Sequence, residues 1–281
     1  MSDLIISLTT IPPRMDKIAP TLHDLLNQTA NIKEIRLNIP RKYRRFDFNL
    51  NDLPEIPEGI NVCIVDEDMG PATKVLPVVQ DFRGQNIEIL FCDDDQPYDP
   101  GWAQRFLNAR EEQPNACIVE TGYDFNIYSK GIKHNDSEKY LPRARRRHKG
   151  LAYRLFRLAS GFTKKRTLYD RDGYVDILEG YRGAMIRPEF LPEEVMDIPD
   201  VLWTVDDPWL SGHMIRIGVP IWLFSGAPVW EKPYDAHFRD SLVEFTYKGH
   251  CRQKADAACI EYFRTTYGIW QDKANIDANI T

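Results

Sequence analysis

The chain has 281 residues, 43% of them hydrophobic and 28% charged, with a formal net charge of −6. That balance suits one sizeable core or two closely joined halves. No stretch reaches the roughly 20 apolar residues of a membrane span, and the opening Met1-Ser2-Asp3 lacks the basic region and apolar segment of a signal peptide. Five cysteines (Cys63, Cys92, Cys117, Cys251, Cys259) show no Cys-x-x-Cys spacing, which argues against a disulfide framework or zinc knuckle and makes the reducing cytoplasm the expected compartment.

Taken in chain order, Leu4 to Leu8 reads as a buried strand, and Ile18, Leu22, Leu25 and Leu26 follow at helical spacing. Ile35 to Ile39, Asn61 to Val65 and Ile87 to Cys92 give three more strands. A repeated strand-helix order implies an α/β fold with a mostly parallel sheet covered on both faces. Residues 1–100 therefore form a nucleotide-binding-type half and 101–281 a second half of one continuous domain. Trp102, Phe106 and Ala109 mark a helix, Ala116 to Val119 a strand, and Gly180 to Ile186 a glycine-bearing approach to another strand. Leu210, His213, Met214 and Ile217 repeat as a helix stopped by Gly218, Ile221 to Phe224 is a strand, and a last helix ends at Gly268.

The aspartates Asp93, Asp94 and Asp95 follow the fourth strand directly. Carboxylates at a strand's carboxyl end face the crevice where α/β proteins bind ligands, and three adjacent anions call for a cation. Hard carboxylate oxygens suit Mg²⁺ or Mn²⁺, whose shell is completed by substrate phosphates, so a metal-diphosphate site is expected; the competing reading is a solvated acidic turn. No Gly-x-Gly-x-x-Gly or P-loop occurs, against dinucleotide dehydrogenases and P-loop kinases. Residues 139–166 carry eleven Lys or Arg and no acid, leaving 36 − 11 = 25 positive against 42 negative residues elsewhere. This segment is a candidate for holding an anionic acceptor or an acidic membrane surface. The absence of aromatics within Arg143 to Lys149 argues against nucleic acid.

Four motifs now stand in order: Thr9-Thr10-Ile11-Pro12-Pro13-Arg14, Asp68-Met69-Gly70-Pro71-Ala72-Thr73-Lys74, the aspartate triplet, and Asp206-Asp207. Over residues 4–225 the chain resembles the GT-A glycosyltransferases, especially inverting bacterial enzymes that use nucleotide-diphospho-sugars. The resemblance implies a Rossmann-like sheet flanked by helices, a divalent metal (Mn²⁺ or Mg²⁺), and a glycan or glycolipid acceptor. Carried over residue by residue, Thr9, Thr10 and Arg14 would line the nucleotide pocket, and Lys74 would neutralise a phosphate. The ends of the Asp-x-Asp motif put Asp93 on the ribose side and Asp95 on the metal, with Asp93 also a candidate metal ligand and Asp94 able to exchange with either. Asp207, with Asp206 second, would be the base that deprotonates the acceptor. Asp207 before Pro208 also reads as a helix cap, and the two roles are compatible. His237 is a candidate late metal ligand or simply a packed histidine, His213 a structural one, and Trp203, Trp209, Trp230 and Tyr234 either sugar-stacking or core aromatics.

One departure stands out: Ile39 is followed by Pro40-Arg41-Lys42-Tyr43, where this class often places an acidic residue that reads the base. Asp66 is the substitute candidate. The rival readings are a nucleotidyltransferase, which normally has a Gly-rich basic first loop absent here, and a catalytically silent glycan- or nucleotide-binding protein of the same fold.

Overall fold

A computed structural model describes residues 2–124, 139–148, 150, 153, 158–159, 166–229, 233–240 and 245–271. Eight strands form one sheet: β1 (Asp3–Thr9), β2 (Glu34–Pro40), β3 (Ile60–Val65), β4 (Ile87–Phe91), β5 (Cys117–Val119), β6 (Gly173–Val175), β7 (Ala184–Ile186) and β8 (Ile221–Leu223). Their spatial order is β3-β2-β1-β4-β7-β5-β8-β6, so strands of both halves interleave in a single sheet. Four of the seven pairings are parallel (β1 with β2, β1 with β4, β2 with β3, β5 with β8), which makes the sheet mostly parallel and Rossmann-like, as the strand-helix order implies.

β1 is buried from Leu4 to Leu8, and its alternation feeds two cores. Ile5 packs with Ile89 and Phe91 on one face, whereas Leu4, Ile6 and Leu8 pack with Leu90 on the other. Helices α1 (Ala19–Leu26) and α3 (Trp102–Glu112) cover the second face. The first is covered by α2 (Leu76–Asp81), α4 (Asp207–Arg216) and α5 (Arg252–Tyr267). One acid interrupts the apolar run of β4: Glu88 is buried, and Arg110 (3.0 Å) and Arg187 (2.9 Å) pair with its two oxygens. A carboxylate at that depth persists only when paired in this way.

Two features of the sheet bring the candidate residues to one place. The parallel strands β1 to β4 all end at one edge, so the residues after Thr9, Pro40, Val65 and Phe91 meet there. Because β7 runs antiparallel between β4 and β5, the segment before it, Gly180 to Gly183, arrives at that same edge. His213 is fully buried and meets Trp209 and Phe263 edge-on, a packing role as expected. All five cysteines are free, and three of them (Cys92, Cys117, Cys259) are buried. Among the described residues no helix is long and apolar enough to cross a membrane.

Candidate active site

A cavity of about 640 Å³ opens at the carboxyl edge and is lined by Thr9, Thr10, Arg14, Lys74, Asp93, Asp94, Asp95, Asp206, Asp207 and His237. The fold thus brings together ten of the eleven residues singled out in the sequence. The exception is Asp66. It follows β3, its side chain is 91% exposed, and it pairs with Arg41 on the surface. Asp68, two residues on, lines the cavity instead. Its oxygens accept the backbone N–H of Arg44 (2.7 Å) and of Gly70 (2.8 Å), and burial raises its pKa.

The loop after Asp68 shows why Lys74 reaches inward. Gly70 has φ +60°, and a Cβ there would lie 2.3 Å from the Trp203 carbonyl, so only glycine fits. A short 3₁₀ turn, Gly70–Lys74, then buries Lys74, whose carbonyl accepts the Ser7 hydroxyl at 2.6 Å. Its ammonium lies 2.5 Å from Asp93 and 2.8 Å from Asp206. Burial alone would lower the Lys74 pKa, but those two carboxylates raise it above its ordinary value. The ammonium expected to meet a phosphate is thus already engaged by two carboxylates, and it ties the triplet to the pair.

Each member of the triplet has its own partner. Asp94 and Asp95 are both buried. Asp94 accepts the Thr10 hydroxyl at 2.5 Å and Arg14 at 2.8 Å, and burial lifts its pKa to about 6 in spite of Arg14. Asp95 meets Nδ1 of His237 at 3.0 Å and Arg14 at 3.3 Å. Asp93 faces Lys74. Thr9 lines the cavity but donates its hydroxyl to the Asn38 carbonyl, at 2.7 Å.

The pair Asp206-Asp207 is divided as sharply. Helix α4 begins at Asp207 with Asp206 as its N-cap residue, and no side chain caps it. The capping role expected of Asp207 is therefore not the one its carboxylate performs. It accepts the Gly180 N–H at 3.0 Å and lies 3.6 Å from Arg252, the first residue of α5. Arg252 also lies 3.4 Å from Asp206 and 3.5 Å from Asp256. Burial would raise Asp206, but Lys74 and Arg252 hold it below the usual carboxylate range. Burial and the Asp206 charge push Asp207 well above that range. One carboxylate is fixed as an anion beside a second that binds a proton readily, which suits a general base.

Arg252, Glu179 and Tyr181 were given no role in the sequence reading, and Asp68 only opened the second motif, though all four line the cavity. For Arg252 a signal exists: a cation in the first turn opposes the helix dipole, and such a residue needs a tertiary partner. Among the aromatics, Trp203 lines the cavity and Trp209 is core, donating to the Val195 carbonyl at 2.9 Å. Tyr234 donates to Asp24 at 2.8 Å, and Trp230 lies outside the described residues. Of the basic segment, Arg143 pairs with Asp124 and, at 2.6 Å, with Asp176, while Arg145 pairs with Asp170 at 2.6 Å. Lys149, Arg154, Arg157, Lys164 and Lys165 fall outside the described side chains.

Among the described residues no three His, Cys, Asp or Glu side chains converge as a ready metal cage. Asp95 and His237 nevertheless present an oxygen and a nitrogen 3.0 Å apart. Adjacent ligands of an octahedral ion with bonds of about 2.1 Å are separated by about 3 Å. A carboxylate with an imidazole suits Mn²⁺ better than Mg²⁺. The cavity walls carry nine carboxylates (Asp68, Asp93, Asp94, Asp95, Glu179, Asp206, Asp207, Asp240, Asp256) against four Lys or Arg, a field that favours a cation. Asp93, bound to Lys74, is not part of that pair.

No protein-family model matches this chain, and no curated protein does. Among solved structures it is similar to the crystal structure of S. aureus TarS 1–349, with a TM-score of 0.40 and 14% identity, over 83% of this chain and 59% of that one.

Proposed function

We propose that this chain is a GT-A type, metal-dependent glycosyltransferase that moves a sugar from a nucleotide-diphospho-sugar to a hydroxyl of a glycan or glycolipid, with inversion. The observation that carries this reading is the Lys74 bridge, which puts the Asp93-Asp94-Asp95 triplet and the Asp206-Asp207 pair in one cavity. Asp95 and His237 would hold a divalent ion, Mn²⁺ or Mg²⁺, which when bound supplies Lewis-acid stabilisation of the departing diphosphate. Asp93 and Asp94 would position the donor's ribose and Thr9, Thr10 and Arg14 the walls around it. Asp207 takes the proton of the acceptor hydroxyl. That oxygen then bonds to the anomeric carbon as the carbon–oxygen bond to the diphosphate breaks on the opposite face. Asp206, held ionised by Lys74 and Arg252, keeps the neighbouring carboxylate basic enough to accept the proton. The cationic segment 143–166 would hold the enzyme at an anionic membrane face on the cytoplasmic side. Vesicle binding that ignores both anionic lipid and salt removes that last element.

Thermal stabilisation by a panel of nucleotide diphosphates and nucleotide-sugars, with and without Mn²⁺, on the wild type and on Asp95→Asn, tests the donor half. A metal-dependent shift lost in the variant is expected, and no shift with any nucleotide sinks the reading. Nucleotide release from the matched donor by Asp207→Asn separates an enzyme from a silent binding protein, since only turnover should vanish.

A further inference from the structure

Among the four Lys and Arg side chains lining the cavity, three have carboxylates within ion-pair distance: Arg14, Lys74 and Arg252. The fourth, Arg45, has none among the described residues. It is held by ring faces instead, its guanidinium carbon 4.9 Å from the centre of Phe46 and 3.9 Å from that of Phe245. A planar fork fixed by two rings and, among the described residues, left without an acceptor is a recognition group: it has five N–H donors and can accept nothing.

The sheet order says what it faces. Along the carboxyl edge the cavity runs from the ends of β3 and β2 (Asp68, Pro40, Tyr43, Arg45), past β1 and the triplet after β4, to Glu179, Tyr181 and Asp207. If the diphosphate lies at the triplet and the acceptor at Asp207, the opposite end is left for the base. That end has flat and apolar walls in Ile11, Pro40, Tyr43 and Phe46. It also holds the Asp68 carboxylate, each of whose oxygens receives one backbone N–H and keeps a lone pair for a second donor.

We propose that Arg45 selects the nucleotide by its keto group: it donates to the exocyclic carbonyl of uracil or guanine and rejects the amino group that cytosine or adenine carries there. Asp68 completes the match, because the ring N–H beside that carbonyl is a donor in uracil and guanine, whereas cytosine and adenine have a bare acceptor nitrogen. This rests on the reading of the cavity as a nucleotide-sugar site. It also gives the base-reading task, left open by Pro40-Arg41-Lys42-Tyr43 and not met by the exposed Asp66, to a cation.

The test is direct binding of UDP, CDP, GDP and ADP to the full chain with Mn²⁺, by calorimetry. In the wild type UDP should bind at least about tenfold more tightly than CDP, or GDP than ADP, the size expected when a charged donor meets an acceptor in one ligand and a donor in the other. Arg45→Met should keep the nucleotide but bring that ratio to within about twofold, and Arg45→Lys, which keeps the charge without the fork, should fall between. A wild type that prefers CDP or ADP, or does not distinguish within the pairs, overturns the proposal without any variant. So does a ratio that persists in Arg45→Met or, should that variant not fold, in Arg45→Lys. Binding of none of the four overturns both this proposal and the nucleotide-sugar reading, whereas binding with an unaffected ratio overturns this one alone.

Discussion

Asp93, Asp94 and Asp95 leave β4 as neighbours, and each has one counter-group that the other two lack, namely Lys74, Thr10 and His237, while Arg14 reaches both Asp94 and Asp95. Asp206 and Asp207 are also neighbours, and they share a cation, Arg252, and face one another's charge. The triplet spreads its members over several side-chain partners, with Arg14 joining Asp94 to Asp95. The pair is one coupled site, in which Lys74 fixes the first carboxylate as an anion and so makes the second hard to ionise. Adjacency in sequence therefore says little about how carboxylates are partnered; in the pair the second carboxylate has no cation that the first lacks, so the charge of the first governs the second.

The largest expected effect comes from severing the two regions at their common point. Lys74→Met leaves Asp206 buried with only the more distant Arg252, and a buried carboxylate stripped of its partner costs about 3–5 kcal/mol. Urea unfolding at pH 7 measures it, and a loss below about 1 kcal/mol would show that the bridge is ornamental. Part of the loss should be recovered at lower pH, since protonation of Asp206 removes the unpaired charge.

Next in size is Asp207→Asn, which keeps the shape and the place of the acceptor for the Gly180 N–H while removing the base. Turnover should fall by about 10²–10⁴, the range for general base catalysis, with nucleotide binding changed less than about threefold. Asp95→Asn should give the reverse pattern, losing Mn²⁺-dependent nucleotide binding first. If both variants lose binding and turnover alike, the division between triplet and pair fails.

Arg252→Gln sharpens the comparison through pH. The residues facing Asp207 are Asp206, Lys74 and Arg252, with Glu179 and Asp256 elsewhere on the cavity wall. Arg252 lowers the pKa of Asp207, so its removal raises it further. A base works only when deprotonated, so the acidic limb of kcat/KM should move to higher pH, and Arg252→Lys should restore part of the shift. A lowered rate with an unmoved limb would assign Arg252 a packing role only.

How much of this was legible in the sequence differs between the same two regions. β1 is a largely apolar run, β4 is one broken only by Glu88, and β2 alternates apolar with polar residues, so strands, sheet edge and triplet could all be read from pattern and position. Asp206-Asp207 was legible as a helix start, though not its partner. Arg252 comes from the far end of the chain, and nothing local in it announces a target. The three-residue β6 is too short to show alternation and went unread, and although a strand after Gly180 was legible, its antiparallel place between β4 and β5 was not, so the arrival of Gly180 beside Asp207 was invisible. Glu88 sits inside an apolar run, and its tolerance there depends on Arg110 and Arg187, which only the tertiary structure brings together.

The smallest expected effect is the most direct check on where sequence and structure part. Asp66 and Asp68 follow the same strand two residues apart, and only Asp68 turns into the cavity. Asp66 pairs with Arg41 at 3.1 Å, with both side chains largely exposed, and exposed pairs of this kind contribute little. Asp66→Asn should leave nucleotide affinity and turnover within about twofold of the wild type and unfolding essentially unmoved. Asp68→Asn, which weakens acceptance of two backbone N–H groups and changes the base end of the cavity, should be felt in both. An Asp66→Asn variant with tenfold weaker nucleotide binding would move the base-reading edge of the site to the outer end of β3, and with it the boundary between the region that binds and the region that reacts.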